Sequence, residues 1–525
     1  MPPGAASAPP PRAVGGLARF ATTTLASLVL DRLFALAFTV LMSAAYGASR
    51  QLDDYLLAVV GPTLIAALFS DLFYSLLLPE LMEASERPGE GQAGWNLLVW
   101  ATAGLVLVTG VYALCWAVGI ALTSRGRGAE PLLALGLVTS PLILLGGVSA
   151  MGGTVLVAAR RYTVANARIP LASLATVLTF LVWTRLGSGV IGLAFSVVAG
   201  SLASAVLIVV AMVRFVGPPA LTMPPAAAGR LFRRLREASL VQLATGIAAQ
   251  APTLIERLIA FSLGAGVLSS LNYGRALVSP PLLIGQSIAT AAYPGFVDLS
   301  VKRSEGRHQA LWSSIGMVFF LLLPLSILLA VQAHPLVLVV YHRGVFDDQS
   351  VVRTTIAASI LAAGLVPIAV SAVLTRFLYA ERAFDRVARA WLVVLTGYCA
   401  MALGLGHVAG YVGLAAASSA SYYLLTAMLI YSVPITARWR EFPWGSLLRT
   451  AFASALLAAA VLGFQAIIGE PTSLLTRVLL GAVAGLAGLT VYLTAAWVLR
   501  CPELFVTLAL AGRLIVAGKN RSKGL

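Results

Sequence analysis

Long apolar stretches alternate with short polar stretches along the whole 525-residue chain. Each apolar stretch reaches the length of about 20 residues that a helix needs to cross a bilayer. The alternation of single apolar and polar positions that is typical of a membrane β-barrel is missing. The pattern predicts fourteen spanning helices, at residues 20–46, 54–83, 96–122, 131–158, 165–186, 189–213, 238–263, 269–298, 310–332, 352–380, 387–409, 411–436, 447–469 and 475–499.

The composition excludes a soluble protein. Hydrophobic residues make up 59% of the chain, charged residues only 11%, and the mean hydropathy is +0.92. A soluble domain is about half apolar and about one quarter charged. We therefore expect an all-α polytopic membrane protein, in which the net charge of +16 reflects topology and not binding to nucleic acid.

The distribution of basic residues predicts the orientation. With the N-terminus inside, the inside segments hold 25 Lys and Arg residues and the outside segments hold 7. Because cytoplasmic loops collect basic residues, the chain is expected to lie in the inner (plasma) membrane with both termini cytoplasmic. The remaining four arginines fall within predicted spans: Arg32, Arg257, Arg275 and Arg376.

A Tyr followed seven residues later by a Pro occurs twice, as Tyr55/Pro62 and Tyr273/Pro280, six predicted helices apart. Matching broken helices in two halves are typical of transporters, whose site lies between the halves. The predicted organisation is a disordered N-terminus (1–16), an N-lobe (17–213), a basic inter-lobe loop (214–237), a C-lobe (238–436), helices 13 and 14 (437–499) and a basic cytoplasmic tail (500–525).

Charges at membrane depth face a cavity or a partner, because lipid does not solvate them. Neighbours on a helix point about 100° apart and pair poorly with each other. If Arg32, Arg257 and Arg275 converge, they form a cationic pocket suited to phosphate. Other interpretations remain open: Arg257 pairs with Asp31 or Asp71, Arg32 and Arg376 extend to the interface, and Arg275 reaches the outer headgroups.

Prolines mark predicted kinks. Pro62, Pro280 and Pro281 remove backbone donors within predicted spans and bend the helices there. A kinked and charged helix is expected to line a cavity, although a packing kink without a ligand is the alternative.

No signature of catalysis is present in the sequence. It contains no phosphate loop, no Ser/His/Asp set and no metal-ligand spacing, and its three cysteines are scattered. We therefore predict that the protein is not an enzyme and has no cofactor and no metal.

Two segments carry a resemblance. Leu254–Pro294 (LIERLIAFSLGAGVLSSLNYGRALVSPPLLIGQSIATAAYP) and Val339–Phe384, in which RGVF precedes a helix ending in LYA, resemble the MurJ/MviN family of lipid II flippases. DRLFALAFTVLMSAAYGAS and FSDLFYSLLLPEL are similar to its first two helices. The resemblance extends over most of the chain.

The resemblance implies two six-helix lobes in a V shape, two further helices and a central cationic cavity with alternating access. The implied cargo is a polyprenyl-diphosphate-linked saccharide, which is lipid II or a related cell-envelope precursor. Its diphosphate would bind cavity arginines, and its prenyl tail would stay in lipid or in a groove of helices 13 and 14. Arg32 and Asp71 match family positions, and Glu256 matches an acid that helps to bind sodium in some members.

Several positions depart from the family pattern. Phe38-Thr39 stand where the family has Arg-Asp, and Ala66-Ala67 stand where arginine is frequent. The family arginine of helix 8 falls at Ala276, one position after Arg275, which turns the side chain by about 100°. Residues 387–410 contain no Asp, Glu, Asn or Gln, which argues against sodium coupling.

These departures leave three functions open. The protein is a flippase for lipid II, a flippase for an exopolysaccharide or O-antigen type of lipid-linked oligosaccharide, or a transport-inactive scaffold for cell-envelope assembly. An antiporter of cationic drugs is disfavoured, because it needs an acidic cavity. The expected partners are the lipid-linked saccharide, membrane lipids and cell-envelope synthesis proteins, and no nucleic acid.

Overall fold

The structure is a computed structural model, which describes residues 11–86, 93–123, 130–218, 246–302, 306–433, 442–468 and 474–509. The regular elements in these ranges are helices, with no strand among them. The predicted all-α class is therefore confirmed. The helices belong to two compact units, the second of which also includes residues 46–48.

The first unit contains seven helices up to residue 215. They are α1 (Pro11–Tyr46), α2 (Arg50–Glu86), α3 (Ala93–Thr123), α4 (Glu130–Thr139), α5 (Pro141–Ala158), α6 (Tyr162–Arg185) and α7 (Gly189–Phe215). α1 ends before Gly47, whose φ of +57° is left-handed, as is usual after a helix. Pro141 begins α5 at the helical position where a missing N–H costs nothing.

The core of the first unit lies between α2, α3, α5 and α7. Buried side chains there include Leu77, Leu105, Ile143 and Ile208. A Cβ added at Gly152 of α5 would lie only 2.4 Å from Cγ2 of Ile208. Small residues therefore let α5 and α7 approach closely, as is common between membrane helices.

The second unit follows from residue 251. Its helices are α8 (246–262, which begins in the first unit), α9 (Val267–Val278), α10 (Leu282–Val301), α11 (Gly306–Val331), α12 (Ala333–Tyr341), α13 (Asp348–Ala362), α14 (Leu365–Ala380), α15 (Phe384–Ser432), α16 (Trp444–Ile468), α17 (Leu474–Val498) and α18 (502–509). α10, α11, α14 and α15 enclose a core whose buried members include Trp312, Leu322, Val373, Phe377 and Val394.

The C-terminal helices attach to α11. The hydroxyl of Tyr492 on α17 donates to the carbonyl oxygen of Phe320 at 2.6 Å. The hydroxyl of Ser446 on α16 lies 2.6 Å from both carboxylate oxygens of Glu503 on α18. Residues 502–509 of the predicted tail are therefore helical and packed, and residues 510–525 lie outside the described residues.

Eleven helical segments among the described residues are long and apolar enough to cross a membrane. This number does not confirm fourteen spans, which stay a prediction. Only 17 residues of α8 are described, and α9 and α10 are separated at Pro280 and Pro281. α15 counts as one segment, although Gly410 (φ +58°, ψ −134°) is non-helical and lies between two predicted spans.

The structure describes only parts of two predicted segments, the disordered N-terminus and the inter-lobe loop. α1 begins at Pro11, so residues 11–16 are helical although disorder was predicted for 1–16, and residues 1–10 lie outside the described residues. Most of the predicted inter-lobe loop, from residue 219 to 237, also lies outside them.

Candidate functional site

Two of the predicted site residues are in direct contact in the second unit. Nη2 of Arg275 on α9 donates to both carboxylate oxygens of Glu256 on α8, at 2.6 Å each. Arg275 lies in the last turn of α9, where a cation interacts favourably with the helix dipole. The glycine before α9, Gly266 with φ +80°, turns the chain so that α9 runs back past α8.

Ser418 on the second half of α15 completes this cluster. Its hydroxyl donates to Oε2 of Glu256 at 2.6 Å, and Ser418 is buried. Tyr398 and Tyr422 of the same helix are near enough to interact electrostatically with Arg275. We name Glu256, Arg275 and Ser418 the α8–α9–α15 cluster, because it joins these three helices.

The α8–α9–α15 cluster is unequally buried. The Glu256 side chain is 11% exposed, whereas the Arg275 side chain is 39% exposed. Removing one partner from a fully buried ion pair costs about 3–5 kcal/mol. Because Arg275 is partly exposed, we expect a smaller loss here.

Arg275 keeps two of its nitrogen atoms available. Within the described residues, only Nη2 forms a hydrogen bond, so that Nε and Nη1 remain uncommitted. Each of these two atoms is a donor that can bind an oxygen of an anion. Glu256 therefore orients a guanidinium group without using all of its donors.

The first unit holds Arg32, Asp31 and Asp71. Asp31 of α1 accepts a hydrogen bond of 2.5 Å from the hydroxyl of Ser173 on α6, while the next residue, Arg32, is exposed. Asp71 is exposed on α2, and Pro62 is buried within the same helix. The predicted convergence of Arg32 with the arginines of the second unit stays a prediction.

The other arginines of the predicted spans lie in the second unit. Arg257 is half-buried on α8, next to Glu256. Arg376 is exposed on α14, with its guanidinium carbon 5.7 Å from the ring centroid of Tyr293. Pro280 and Pro281 occupy the break between α9 and α10.

The sequence interpretation missed the two partners of Glu256. Both charged residues were identified by their depth, but not as a pair, and Ser418 was not singled out. Within the residues that the structure describes, no group of three His, Cys, Asp or Glu residues is arranged to hold a metal ion. The expected lack of a metal stays a prediction.

Comparison with known proteins identifies the family. The sequence model of the family described as lipid II flippase MurJ matches residues 42–481. The lipid II flippase MurJ of Burkholderia cenocepacia is 25% identical over 376 residues, which is 67% of this chain and 71% of that protein. A probable lipid II flippase MurJ of Vibrio cholerae is 28% identical over 214 residues, 40% of this chain and 41% of its own length.

Solved structures share the fold. A lipid II flippase MurJ in an inward closed conformation matches with a TM-score of 0.74 at 16% identity, covering 90% of this chain and 98% of that chain. A multidrug resistance MATE family transporter of the MOP superfamily, in an inward-facing conformation, matches with a TM-score of 0.59 at 14% identity, covering 80% and 98%. The protein is a multi-pass membrane protein. Because the family model covers most of its length, the chain belongs to the lipid II flippase MurJ family.

Proposed function

We propose that the protein moves a polyprenyl-diphosphate-linked saccharide, lipid II or a related cell-envelope precursor, from the inner to the outer leaflet. Transport proceeds by alternating access, and no bond is made or broken. The chain lies in the inner membrane with both termini in the cytoplasm. The observation that carries the proposal is the Arg275 guanidinium, fixed by Glu256 at 2.6 Å with two donors left for an anion.

The diphosphate is the part of the cargo that arginines recognise. A guanidinium group stays charged and binds phosphate oxygens in pairs. Arg275 is the best placed contact, with Arg32 and Arg257 as further cations at predicted membrane depth. Asp71, exposed on α2, is a carboxylate that can accept hydrogen bonds from sugar hydroxyl groups.

Rescue of cells depleted of their own lipid II flippase tests the cargo. Cells expressing the full chain are expected to grow, whereas Arg275→Ala is expected to fail at an unchanged level in the membrane. Arg376→Ala is the matched control. Arg376 is also an arginine within a predicted span, but its guanidinium group lies beside the ring of Tyr293 and outside the α8–α9–α15 cluster. It is expected to rescue growth.

Two results would contradict this function. Absence of rescue by the unmodified chain at a normal membrane level excludes lipid II as the cargo and favours another glycolipid or a scaffold. Rescue by the variants of Arg32, Arg257 and Arg275 alike excludes an arginine-bound diphosphate. Immunoblots of the membrane fraction give the protein level for each variant.

A further inference from the structure

In the α8–α9–α15 cluster, the guanidinium group of Arg275 would interact with two anions, Glu256 and the diphosphate of the cargo. Arg275 neutralises Glu256 in the structure, with Nη2 against both carboxylate oxygens. The proposed function requires the same group to bind a diphosphate, which carries two negative charges. A third negative charge beside one guanidinium, in surroundings of low dielectric, repels both of the others.

We propose that Glu256 is a proton-binding site, and that a diphosphate bound at Arg275 drives the uptake of one proton by Glu256. The proposal rests on the function proposed above and names its coupling ion. The step is balanced: the diphosphate binds the remaining donors of Arg275, Glu256 stays beside Nη2, and one proton from the solution converts the carboxylate of Glu256 to the neutral acid.

The surroundings of Glu256 favour the neutral acid once a diphosphate shares the positive charge of Arg275. The Glu256 side chain is 11% exposed, so water screens little of the repulsion between the carboxylate and the diphosphate. From α15, Ser418 contributes one hydroxyl, and Tyr398 and Tyr422 contribute phenol groups that are ordinarily uncharged. These neutral groups do not replace the share of the guanidinium charge that the diphosphate takes, so the charged carboxylate becomes less favourable.

The structure describes two charged side chains next to Glu256. From α9 the facing charge is Arg275, and on α8 itself the next residue is Arg257, whose side chain points about 100° away. The hydroxyl of Tyr398 is buried near Ser418 but outside hydrogen-bonding geometry within the described residues. It can accept from a protonated Glu256 or donate to a charged one, so it does not decide between the two forms.

Coupling between proton uptake and anion binding makes the affinity for the anion change with pH in one direction. If one proton enters with each anion, a higher proton concentration favours the complex. The affinity for the anion therefore falls as the pH rises, by up to about tenfold per pH unit. Glu256→Gln is neutral at every pH and retains a group that can bond to Ser418. It is expected to bind the anion with an affinity independent of pH, and more tightly than the unmodified protein at high pH.

The test uses the full chain in detergent micelles and a farnesyl-diphospho-sugar. Both phosphates of this probe are esterified, so its own charge is constant near neutral pH. Isothermal titration calorimetry over a pH series gives the affinity. Two buffers of different ionisation enthalpy give the number of protons taken up per probe, which we expect to be close to one.

Glu503→Gln is the matched control. Glu503 is also a buried carboxylate that accepts hydrogen bonds from a serine, Ser446, in the same unit. It lies on α18 and outside the α8–α9–α15 cluster. The control variant is expected to keep the proton uptake and the pH dependence of the unmodified protein.

The outcomes separate the coupling from the transport function. Binding of the probe without proton uptake by the unmodified protein overturns the coupling and leaves the proposed cargo intact. Proton uptake that persists in Glu256→Gln overturns the assignment to Glu256. Lack of binding at every pH overturns the proposed function, and the coupling with it. Proton uptake is measured on the unmodified protein. The coupling can therefore be contradicted even if Glu256→Gln does not fold.

Discussion

Carboxylates at membrane depth need partners that replace water, and two carboxylates within predicted spans of this protein are satisfied differently. Glu256 is held by a guanidinium and a hydroxyl group, both at 2.6 Å. Asp31 accepts a hydrogen bond from the hydroxyl of Ser173, and its neighbour Arg32 is exposed. Removal of the Glu256 charge therefore affects an arginine directly, whereas removal of the Asp31 charge affects mainly a helix contact.

A carboxylate outside the spans gives a prediction about stability. Asp347 caps α13, where its Oδ1 accepts from the backbone N–H of Ser350 at 2.9 Å. The Ser350 hydroxyl and N–H hold the pKa of Asp347 below its ordinary value. Asp347→Ala is expected to lower the free energy of unfolding by about 1 kcal/mol at neutral pH. Thermal unfolding in detergent measures the loss.

The pH dependence follows from the lowered pKa of Asp347. A group with a depressed pKa in the folded state contributes stability above its ordinary value of about 3.9, and this stability is lost as the pH falls below that value. Asp347→Asn keeps a capping oxygen without the charge. It is expected to lose less stability in acid than the unmodified protein does, and equal losses contradict the charged cap.

Sequence alone identifies the charged residues of the site but not their pairing. Glu256 and Arg275 stand out because each interrupts an apolar run. They are 19 residues apart on different helices, and Ser418 is 162 residues from Glu256. Helical periodicity relates only neighbours within one helix. The choice of partner depends on how α8, α9 and α15 pack, which no local pattern encodes.

At the scale of the element, apolar length predicts helices well and their interruptions less well. The predicted spans 131–158 and 352–380 are each two helices, divided near Ser140 and near Gly364. Conversely, Pro294 and Pro324 lie inside continuous helices. A membrane helix tolerates proline where neighbours satisfy the released backbone groups, so proline alone does not locate a break.

Two glycines of α10 give a matched pair of variants. A Cβ at Gly285 would lie 2.4 Å from the Cβ of Ala369 on α14, whereas a Cβ at Gly295 meets nothing within 4 Å. Ala369 has no flexible end that can move aside. Gly285→Ala is expected to destabilise the protein by about 1–3 kcal/mol. Gly295→Ala is expected to be neutral or to stabilise it by up to about 1 kcal/mol. Melting temperatures in detergent that fall equally for both variants contradict this packing.

At the scale of the whole molecule, the chain divides into two compact units after Gln250, with α16, α17 and α18 in the second. The predicted lobes were inferred from a repeated Tyr–Pro spacing and not from contacts. The number of crossings decides on which side of the membrane each connection lies. The eleven described segments that are long and apolar enough to cross do not include α8 or the interrupted pair α9 and α10.

Cysteine labelling tests these two crossings. In a chain whose three native cysteines are replaced, Ala265→Cys lies between α8 and α9, and Lys302→Cys follows α10; both positions are exposed. With fourteen spans, an impermeant maleimide labels Ala265→Cys in intact cells and labels Lys302→Cys only after permeabilisation. Labelling of both from the same side contradicts the predicted count.

The proline pair after α9 has a lasting effect on the backbone. Neither Pro280 nor Pro281 has an amide hydrogen, so the carbonyl groups of Ala276 and Leu277 never gain their regular helical donors. The Ser279 hydroxyl donates to the Ala276 oxygen at 3.3 Å, a long contact. Backbone bonds from the N–H groups of Leu282, Leu283 and Ile284 to the carbonyl oxygens three residues earlier hold the joint instead. The two missing amide hydrogens belong to the covalent structure, so this joint lacks the regular helical bonds in every state that the protein visits, with or without cargo.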